Sequence, residues 1–252
     1  MVLTLMAVIS ASHLGFTYGQ QPVLEDVSFA VEAGEFAALV GPNGSGKSTL
    51  LRLLLGVLKP AAGTVSLFGE DPRRLGDRWR IGYVPQRLRL QPDLPATVEE
   101  VVRTGRLPLR GWWRRPRRAD QDAVDHALES VALADLRHRR IGELSGGQQQ
   151  RALIAKAFAG EPEVLVLDEP IAGVDAESQR LFRDSLVHLV AEHNATVLLV
   201  SHELGAVADD LDRVVVLKRT VVFDGAPGDL AATGVHLGVH DDDLPRWLED
   251  LS

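Results

Sequence analysis

The feature that most constrains the fold is the segment 41–49, which has the sequence GPNGSGKST. It follows a short apolar, strand-like run, Glu35 to Val40, and precedes a leucine-rich, helix-like run, Leu50 to Leu58. This is the phosphate-binding loop pattern G-x-x-x-x-G-K-[ST] in its strand-to-helix setting. The glycines let the backbone approach phosphates closely, and the N–H groups at the helix start face the anion. The pattern predicts nucleotide binding by Gly41, Pro42, Asn43, Gly44, Ser45, Gly46, Lys47, Ser48 and Thr49.

Two of these side chains have specific predicted roles. The Lys47 ammonium neutralises the β and γ phosphates, and the Ser48 hydroxyl can be a ligand of Mg²⁺. The structural alternative is a glycine-rich turn that only starts a core helix, and the complete pattern in this setting disfavours it.

A second apolar run, Val164 to Leu167, ends in Asp168 and Glu169. This places two carboxylates at the carboxyl edge of a predicted parallel strand, where such sheets bind ligands. We predict that Asp168 holds Mg²⁺ and that Glu169 accepts a proton from the attacking water. The alternative is an Asp-Glu-Pro turn that merely leaves the strand.

A third feature is the run Leu144-Ser145-Gly146-Gly147-Gln148. Ser145 and Gln148 have the spacing of a capping box, so a helix start explains two of the five residues. The two glycines are not needed for that cap, but they suit a backbone that must approach an anion.

The rest of the pattern predicts an α/β fold. The segments Val8 to Ser12 and Val23 to Val31 are predicted to pair as antiparallel strands. Alternation of strands and helices later in the chain indicates parallel pairing. Between Gln86 and Gly142 the character becomes helical, with a capping box at Thr97 and Glu100. Further predicted elements are strands 65–68, 81–84, 164–167 and 196–200, helices 119–131, 145–159 and 175–192, and a hairpin 214–217 with 220–223.

Composition excludes several classes of protein. The 252 residues include 27 basic and 35 acidic side chains, giving a net charge of −8, and no cysteine. Disulfide scaffolds and cysteine-ligated zinc sites are therefore excluded, and the acidic balance disfavours nucleic acid. No apolar run approaches the ~20 residues of a membrane-spanning helix. Met1 to Ile9 lacks a basic flank, so we expect an entering strand rather than a secretory signal.

Taken together, the three motifs resemble those of the nucleotide-binding subunit of ATP-binding cassette (ABC) transporters, and the resemblance extends over nearly the whole chain. It implies a P-loop NTPase core with an antiparallel β subdomain and a helical subdomain, and hydrolysis of ATP coupled to transmembrane transport. The whole chain, 1–252, would form one ATPase domain. Its expected parts are the core with the β subdomain at 1–86 and 143–230, the helical subdomain at 87–142 and an acidic tail at 231–252.

The resemblance also implies roles for residues outside the three motifs. Tyr18 would stack on adenine; the alternative is a half-buried strand tyrosine. Gln86 would contact Mg²⁺ or water and couple the site to the helical insert. Asp175 would lie in the loop crossing between two subunits, or be a helix N-cap. His202 would contact the γ phosphate.

In this family the signature of one subunit, here Ser145, Gly146, Gly147 and Gln148, completes the ATP site of another. The resemblance therefore implies a head-to-tail dimer holding two ATP molecules, formed with itself or with a close relative. It further implies separate membrane permease subunits, a substrate-binding protein, and a peripheral location on the cytoplasmic face of the membrane.

The segments 169–175, EPIAGVD, and 111–116, GWWRRP, resemble the zinc and manganese importers within the family. The nearest alternative is an ABC transporter ATPase that powers the transport of another solute. A soluble ABC protein of DNA repair or translation fits less well, because neither a long coiled-coil insertion nor a second cassette is present. A GTPase would require an Asn-Lys-x-Asp motif, which the sequence lacks.

Two charged segments have open interpretations. Seven arginines between 103 and 118 could face anionic headgroups or the transporter, or form a solvated face. The histidines and aspartates of the tail could bind a metal, although a disordered acidic tail is favoured. The arginines are Arg103, Arg106, Arg110, Arg114, Arg115, Arg117 and Arg118, and the tail residues are His236, His240, Asp241, Asp242 and Asp243.

Overall fold

A computed structural model describes residues 7–86, 95–110, 115–170, 176–201, 204 and 207–232. The chain divides into two compact units, residues 1–76 with 196–252, and residues 77–195. No helix among the described residues has the length and apolar character needed to cross a membrane.

The strands and helices of the described residues follow one another along the chain. In order they are β1 (Ala7–Tyr18), β2 (Gln21–Glu32), β3 (Phe36–Val40), α1 (Lys47–Leu54), β4 (Ala62–Leu67), β5 (Ile81–Val84), α2 (Val98–Arg103), α3 (Leu107–Arg110), α4 (Arg118–Ser130), α5 (Gly146–Ala159), β6 (Val164–Asp168), α6 (Ala176–His193), β7 (Thr196–Val200), β8 (Arg213–Lys218), β9 (Thr220–Gly225) and α7 (Pro227–Ala232).

The first unit contains an antiparallel sheet in the order β2, β1, β4. Ile9 of β1 lies opposite Val31 of β2 and Leu67 of β4, and all three side chains are buried. The predicted pairing of the first two strands is confirmed. The strand predicted at 65–68 begins earlier, at Ala62, because pairing with β1 extends it.

The first unit also contains parallel strands. β3 lies between β7 and β8 and is parallel to both, with Ala38 opposite Leu199 and Val214. Every residue of β3 and β7 is buried, which explains why both strands have continuous rather than alternating apolar sequences. The parallel pairing is confirmed, and β9 adds the predicted antiparallel hairpin with β8.

The second unit pairs β5 with β6 in parallel, with Val84 opposite Leu167. Its helices α2, α4 and α5 pack together. The capping box predicted before α2 is present, because Glu100 N–H donates to Thr97 Oγ1 at 3.2 Å and Thr97 N–H donates to Glu100 Oε2 at 2.8 Å.

Two arginines of the segment 103–118, Arg103 and Arg106, form ion pairs within the second unit. Arg106 is buried, and its guanidinium donates to Asp120 Oδ1 at 3.1 Å, to Glu161 Oε2 at 2.6 Å and to the Ala159 carbonyl at 3.0 Å. Burial lowers the pKa of Arg106, but the hydrogen bonds and charges of the two carboxylates outweigh this and leave the pKa above its ordinary value. Arg103 also bonds to a carboxylate, that of Glu99.

The later arginines of the segment 103–118 differ from Arg103 and Arg106, because Arg115, Arg117 and Arg118 are exposed. The interpretations of a docking patch and of a solvated face therefore both stay open for these three residues. Arg114 lies outside the described residues, as does the acidic tail from 233 onward.

Candidate functional site

The phosphate loop folds around its own lysine. Lys47 is the first residue of α1, and its side chain reaches back to donate to the Gly41 carbonyl at 2.6 Å and the Pro42 carbonyl at 3.1 Å. Lys47 is only 6% exposed. The ammonium is therefore held inside the curve of the loop, where a phosphate enclosed by the loop would meet it.

Two glycines of the loop are required by close packing. A Cβ on Gly41 would lie 2.2 Å from the Leu217 carbonyl oxygen of β8. A Cβ on Gly46 would lie 2.6 Å from Leu24 Cδ2 of β2, and Gly46 has a φ of 103°, which favours glycine. The backbone of β8 at Gly41 and the Leu24 side chain of β2 at Gly46 thus restrict the two ends of the loop.

The start of α1 is open to a ligand. Gly46 is its N-cap, and within the described part of the chain no side chain caps the helix. The nearby residues Asn43, Gly44 and Ser48 are exposed. Uncapped N–H groups and the positive end of the helix dipole attract an anion, so the geometry suits a phosphate group.

The Ser45 hydroxyl is a second feature of the loop that favours a bound ligand. It is 5% exposed, and its hydroxyl oxygen has no hydrogen-bond partner among the described residues. Leaving a buried hydroxyl unsatisfied costs about 1–3 kcal/mol. A polar ligand within the loop would relieve this cost, which agrees with a nucleotide phosphate as occupant.

In the second unit, Glu169 and Gln86 meet at the carboxyl edge of two strands. β5 and β6 are parallel with Val84 opposite Leu167, so the residues two positions after each lie at the same edge. Gln86 Nε2 donates to Glu169 Oε2. Glu169 has a φ of 44°, an unusual left-handed conformation of the kind that clusters at functional sites.

The sequence predicts Gln86 and Glu169 as site residues, but it does not predict the hydrogen bond between them. That bond depends on the register of β5 and β6 rather than on any local motif. Asp168 is the last residue of β6 and is partly exposed.

The third motif forms the beginning of α5. Gln148 N–H donates to Ser145 Oγ at 3.3 Å, and Ser145 N–H donates to Gln148 Oε1 at 3.0 Å, so the capping box is confirmed. Among the residues that the structure describes, a Cβ on Gly146 would meet nothing within 4 Å. The described packing therefore does not require glycine there, which suits close approach by another molecule.

Tyr18 ends β1 and is 48% exposed. Its ring packs edge-on against Phe16, with 5.0 Å between the ring centroids. Tyr18 is thus partly accessible for stacking. Two other predicted site residues, His202 and Asp175, lie outside the described residues.

Comparison with known proteins agrees with this reading. The sequence profile of the ABC transporter family matches residues 24–172, more than half of the chain, so the chain belongs to the ABC transporter family. Within it, the chain is an ATP-binding subunit, an ATPase whose hydrolysis of ATP is coupled to transport. The function predicted from the motifs is confirmed at this level.

Three curated relatives show how far the similarity extends. The zinc uptake system ATP-binding protein ZurA of Listeria innocua is 43% identical, over 87% of this chain and 86% of the relative. The high-affinity zinc uptake system ATP-binding protein ZnuC of Bacillus subtilis is 43% identical, over 85% and 92%. The manganese transport system ATP-binding protein MntB of the same species is 39% identical, over 85% of each chain.

Solved structures share the fold. CbiO1 of Clostridium perfringens, part of the ABC transporter complex CbiONQ, superposes with a TM-score of 0.79 at 29% identity and covers 90% of this chain and 91% of its own. A putative metal-chelate type ABC transporter in an inward-facing conformation gives 0.76 at 30% identity, over 89% and 85%. The predicted α/β fold of an ABC ATPase, with an antiparallel β part and a helical part, is confirmed.

Proposed function

We propose that this ATPase powers the import of a divalent transition metal, zinc or manganese, across the cytoplasmic membrane. The observation that carries the proposal is the set of curated relatives, about 40% identical over most of both chains, whose names specify zinc or manganese transport. The segments EPIAGVD and GWWRRP, which resemble the same importers, agree with it.

In the proposed mechanism, Glu169 is the general base for the water that attacks the γ phosphate. The hydrogen bond from Gln86 supports this role, because it fixes one carboxylate oxygen and thereby orients the carboxylate at the edge of the sheet. Lys47 opposes the charge of the β and γ phosphates from inside the loop.

Mg²⁺ is the proposed metal cofactor, with Ser48, Gln86 and Asp168 as its protein ligands. All three supply oxygen donors, the type that Mg²⁺ prefers, and none of them is buried in the structure. When bound, Mg²⁺ would neutralise part of the charge that the triphosphate develops during hydrolysis.

The remaining roles also follow the family resemblance. Tyr18 stacks on adenine, and His202 contacts the γ phosphate. Asp175 lies at the junction of two subunits, and Ser145, Gly146, Gly147 and Gln148 close on ATP bound to the other subunit. The open space around Gly146 and the exposed half of Tyr18 support these assignments.

We propose a dimer of cassettes, formed from two copies of this chain, on the cytoplasmic face of the membrane. It would associate with separate permease subunits and, through them, with a substrate-binding protein. We keep the proposed division of the chain into a core with its β subdomain (1–86 and 143–230), a helical subdomain (87–142) and an acidic tail (231–252).

The test of the transported solute is metal-limited growth. A strain lacking this chain should grow poorly in zinc-chelated or manganese-chelated medium and contain less of that metal by elemental analysis. Complementation with the unmodified gene should restore both, whereas the Glu169→Gln gene should not. Unchanged growth and unchanged metal content under both limitations would contradict the proposed solute.

The test of the chemistry is the Glu169→Gln variant of the purified chain. Gln keeps the size and a hydrogen-bonding group but removes the basic oxygen, so hydrolysis should fall by about 10²- to 10⁴-fold while ATP binding persists. Because bound ATP is then not hydrolysed, the variant should elute as a dimer in size-exclusion chromatography when ATP is present. Glu129→Gln, which changes an exposed carboxylate, is the control. Hydrolysis at the unmodified rate would remove Glu169 from the role of base, and a monomer with ATP would contradict the shared site.

A further inference from the structure

Three histidines that belong to none of the motifs meet in the second unit. His126 comes from α4, whereas His188 and His193 come from the carboxyl-terminal half of α6. One ring nitrogen from each lies within 4.8 Å of the others. We propose that these three side chains, here called the histidine cluster, form a binding site for a divalent transition metal ion, best suited to zinc.

The cluster brings one nitrogen of each ring close to those of the other two. His126 Nε2 and His193 Nε2 are 2.9 Å apart, a hydrogen-bond distance that requires one of these two nitrogens to carry the proton. The ring of His188 lies 5.7 Å from that of His126 and 6.0 Å from that of His193, measured between centroids. A metal ion would take the place of the shared proton and gain the third imidazole.

The distances suit a zinc ion after small side-chain rotations. With Zn–N bonds of about 2.0–2.1 Å, a tetrahedral ion separates its nitrogen ligands by roughly 3.3 Å. The Nε2 atoms of His126 and His193, 2.9 Å apart, lie closer than that separation, and the ligand nitrogens of all three rings lie within 4.8 Å of one another. Side-chain movements of up to about 1.5 Å would bring all three nitrogens to the tetrahedral separation and leave a fourth position for water.

The ligand type selects the class of metal. Neutral imidazole suits zinc, cobalt, nickel and copper, whereas magnesium, calcium and manganese prefer oxygen donors. This separates the cluster from the proposed Mg²⁺ ligands, and it means that the site does not depend on which solute the transporter carries.

The supporting framework is already ordered. Phe158 of α5 is buried and packs its ring against those of His126 and His193, with centroid distances of 5.5 and 5.0 Å. Close by, the Ser185 hydroxyl oxygen of α6 lies 2.7 Å from the Ser130 carbonyl oxygen of α4 and 2.7 Å from the Leu181 carbonyl oxygen of its own helix, so its proton is shared between the two. Because α4 and α6 are held together without a metal, binding does not have to order them first. His193 is exposed, which gives an ion access from solvent.

The experiment uses the purified full-length chain without nucleotide. Co²⁺ is titrated while its visible absorption is followed, and Zn²⁺ is then added to displace it. His236 and His240 of the tail are also potential ligands, so all variants are made in a His236→Gln, His240→Gln background. The test variants are His126→Gln, His188→Gln, His193→Gln and the triple change. His138→Gln, which alters a histidine whose side chain is 82% exposed, is the matched control.

We expect one tightly bound ion per chain in the background protein and the control, with the intense visible bands of tetrahedral Co²⁺. Each single change should weaken zinc binding by at least about tenfold, because even loss of an outer-shell partner costs 10- to 100-fold. Mn²⁺ should not displace Co²⁺. Zinc binding that is unchanged in the triple variant would overturn the proposal. Absence of tetrahedral bands in the unmodified chain would do the same without depending on the folding of any variant.

Discussion

At the scale of single residues, the arrangement of several groups in the phosphate loop indicates that the loop binds a ligand. Gly41 and Gly46 are fixed by strands on either side, and α1 starts without a side-chain cap. Ser45 is the sharpest case, because its buried hydroxyl has no partner among the described residues. An unsatisfied buried hydroxyl lowers the stability of the free chain, so its presence favours a role in binding a ligand.

Ser45→Ala should therefore stabilise the nucleotide-free protein. The substitution removes an unsatisfied buried hydroxyl, which costs about 1–3 kcal/mol, and leaves the methylene carbon in place. Urea unfolding without nucleotide should show a higher midpoint. Ser48→Ala, which removes an exposed hydroxyl of the same loop, should change the free energy of unfolding by no more than about 0.5 kcal/mol. A destabilised Ser45→Ala protein would show that the hydroxyl has a partner in the free chain.

At the scale of elements, buried charge holds the helices of the second unit in place. Arg106 follows α2 and bonds to Asp120 in the first turn of α4 and to the carbonyl of Ala159 at the end of α5. The Asp120 carboxylate also accepts from the Arg117 N–H at 2.8 Å, so it caps α4 as well. One guanidinium thus connects the segment between α2 and α3 to both α4 and α5.

Arg106→Ala should destabilise the protein by about 3–5 kcal/mol, because removing one partner leaves the buried Asp120 carboxylate without its compensating charge. Chemical denaturation followed by circular dichroism measures the change. Arg115→Ala removes an exposed arginine of the same segment and should stay within about 0.5 kcal/mol. A small effect at Arg106 would indicate that the ion pair contributes little to stability.

A second buried carboxylate predicts how stability depends on pH. Burial raises the pKa of Glu99, but hydrogen bonds from Arg137 and Gln121 and the charges of Arg137 and Arg103 outweigh burial and leave the pKa below its ordinary value. A carboxyl with a depressed pKa stabilises the fold at pH values above its unfolded pKa of about 4.3. That contribution disappears as the pH falls through the lower pKa of the folded protein.

Glu99→Gln should therefore lower the free energy of unfolding at pH 7 by about 1.5–3 kcal/mol, the range for hydrogen bonds to charged groups. The difference from the unmodified protein should shrink as the pH falls below about 4. Urea unfolding at several pH values measures both, with the exposed Glu129→Gln as control. A difference that is constant from pH 7 to acid would show that Glu99 does not titrate differently on folding.

Local sequence predicted the elements better than the contacts between them. The capping boxes at Thr97 and Ser145 were predictable because each involves residues three apart on one helix. The burial of Arg106 was not, because its carboxylates come from positions 120 and 161, and a run of arginines by itself resembles a solvated face. The Gln86 to Glu169 bond and the histidine cluster were hidden for the same reason, since strand register and helix packing bring distant residues together.

At the scale of the whole molecule, the distribution of charge matters more than its sum. The chain carries a net charge of −8, yet Arg115, Arg117 and Arg118 are exposed within four residues at the start of α4. Exposed like charges repel one another, so such a segment contributes nothing evident to folding. A docking patch for an acidic surface of the membrane complex and a solvated face both fit this exposure, and they predict different results when the charges are removed.

Changing Arg115, Arg117 and Arg118 together to Ser should weaken association with the permease subunits while leaving ATP binding by the isolated chain intact. Attraction between exposed charges is screened beyond about 8 Å near physiological salt, so association of the unmodified chain must itself weaken as salt rises. Co-purification from membranes over a range of salt concentrations measures both effects. The matched control changes three exposed arginines elsewhere, Arg52, Arg74 and Arg139, to Ser and removes the same total charge. Equal loss in both variants would assign the effect to net charge, and no loss in either would leave the run as a solvated face.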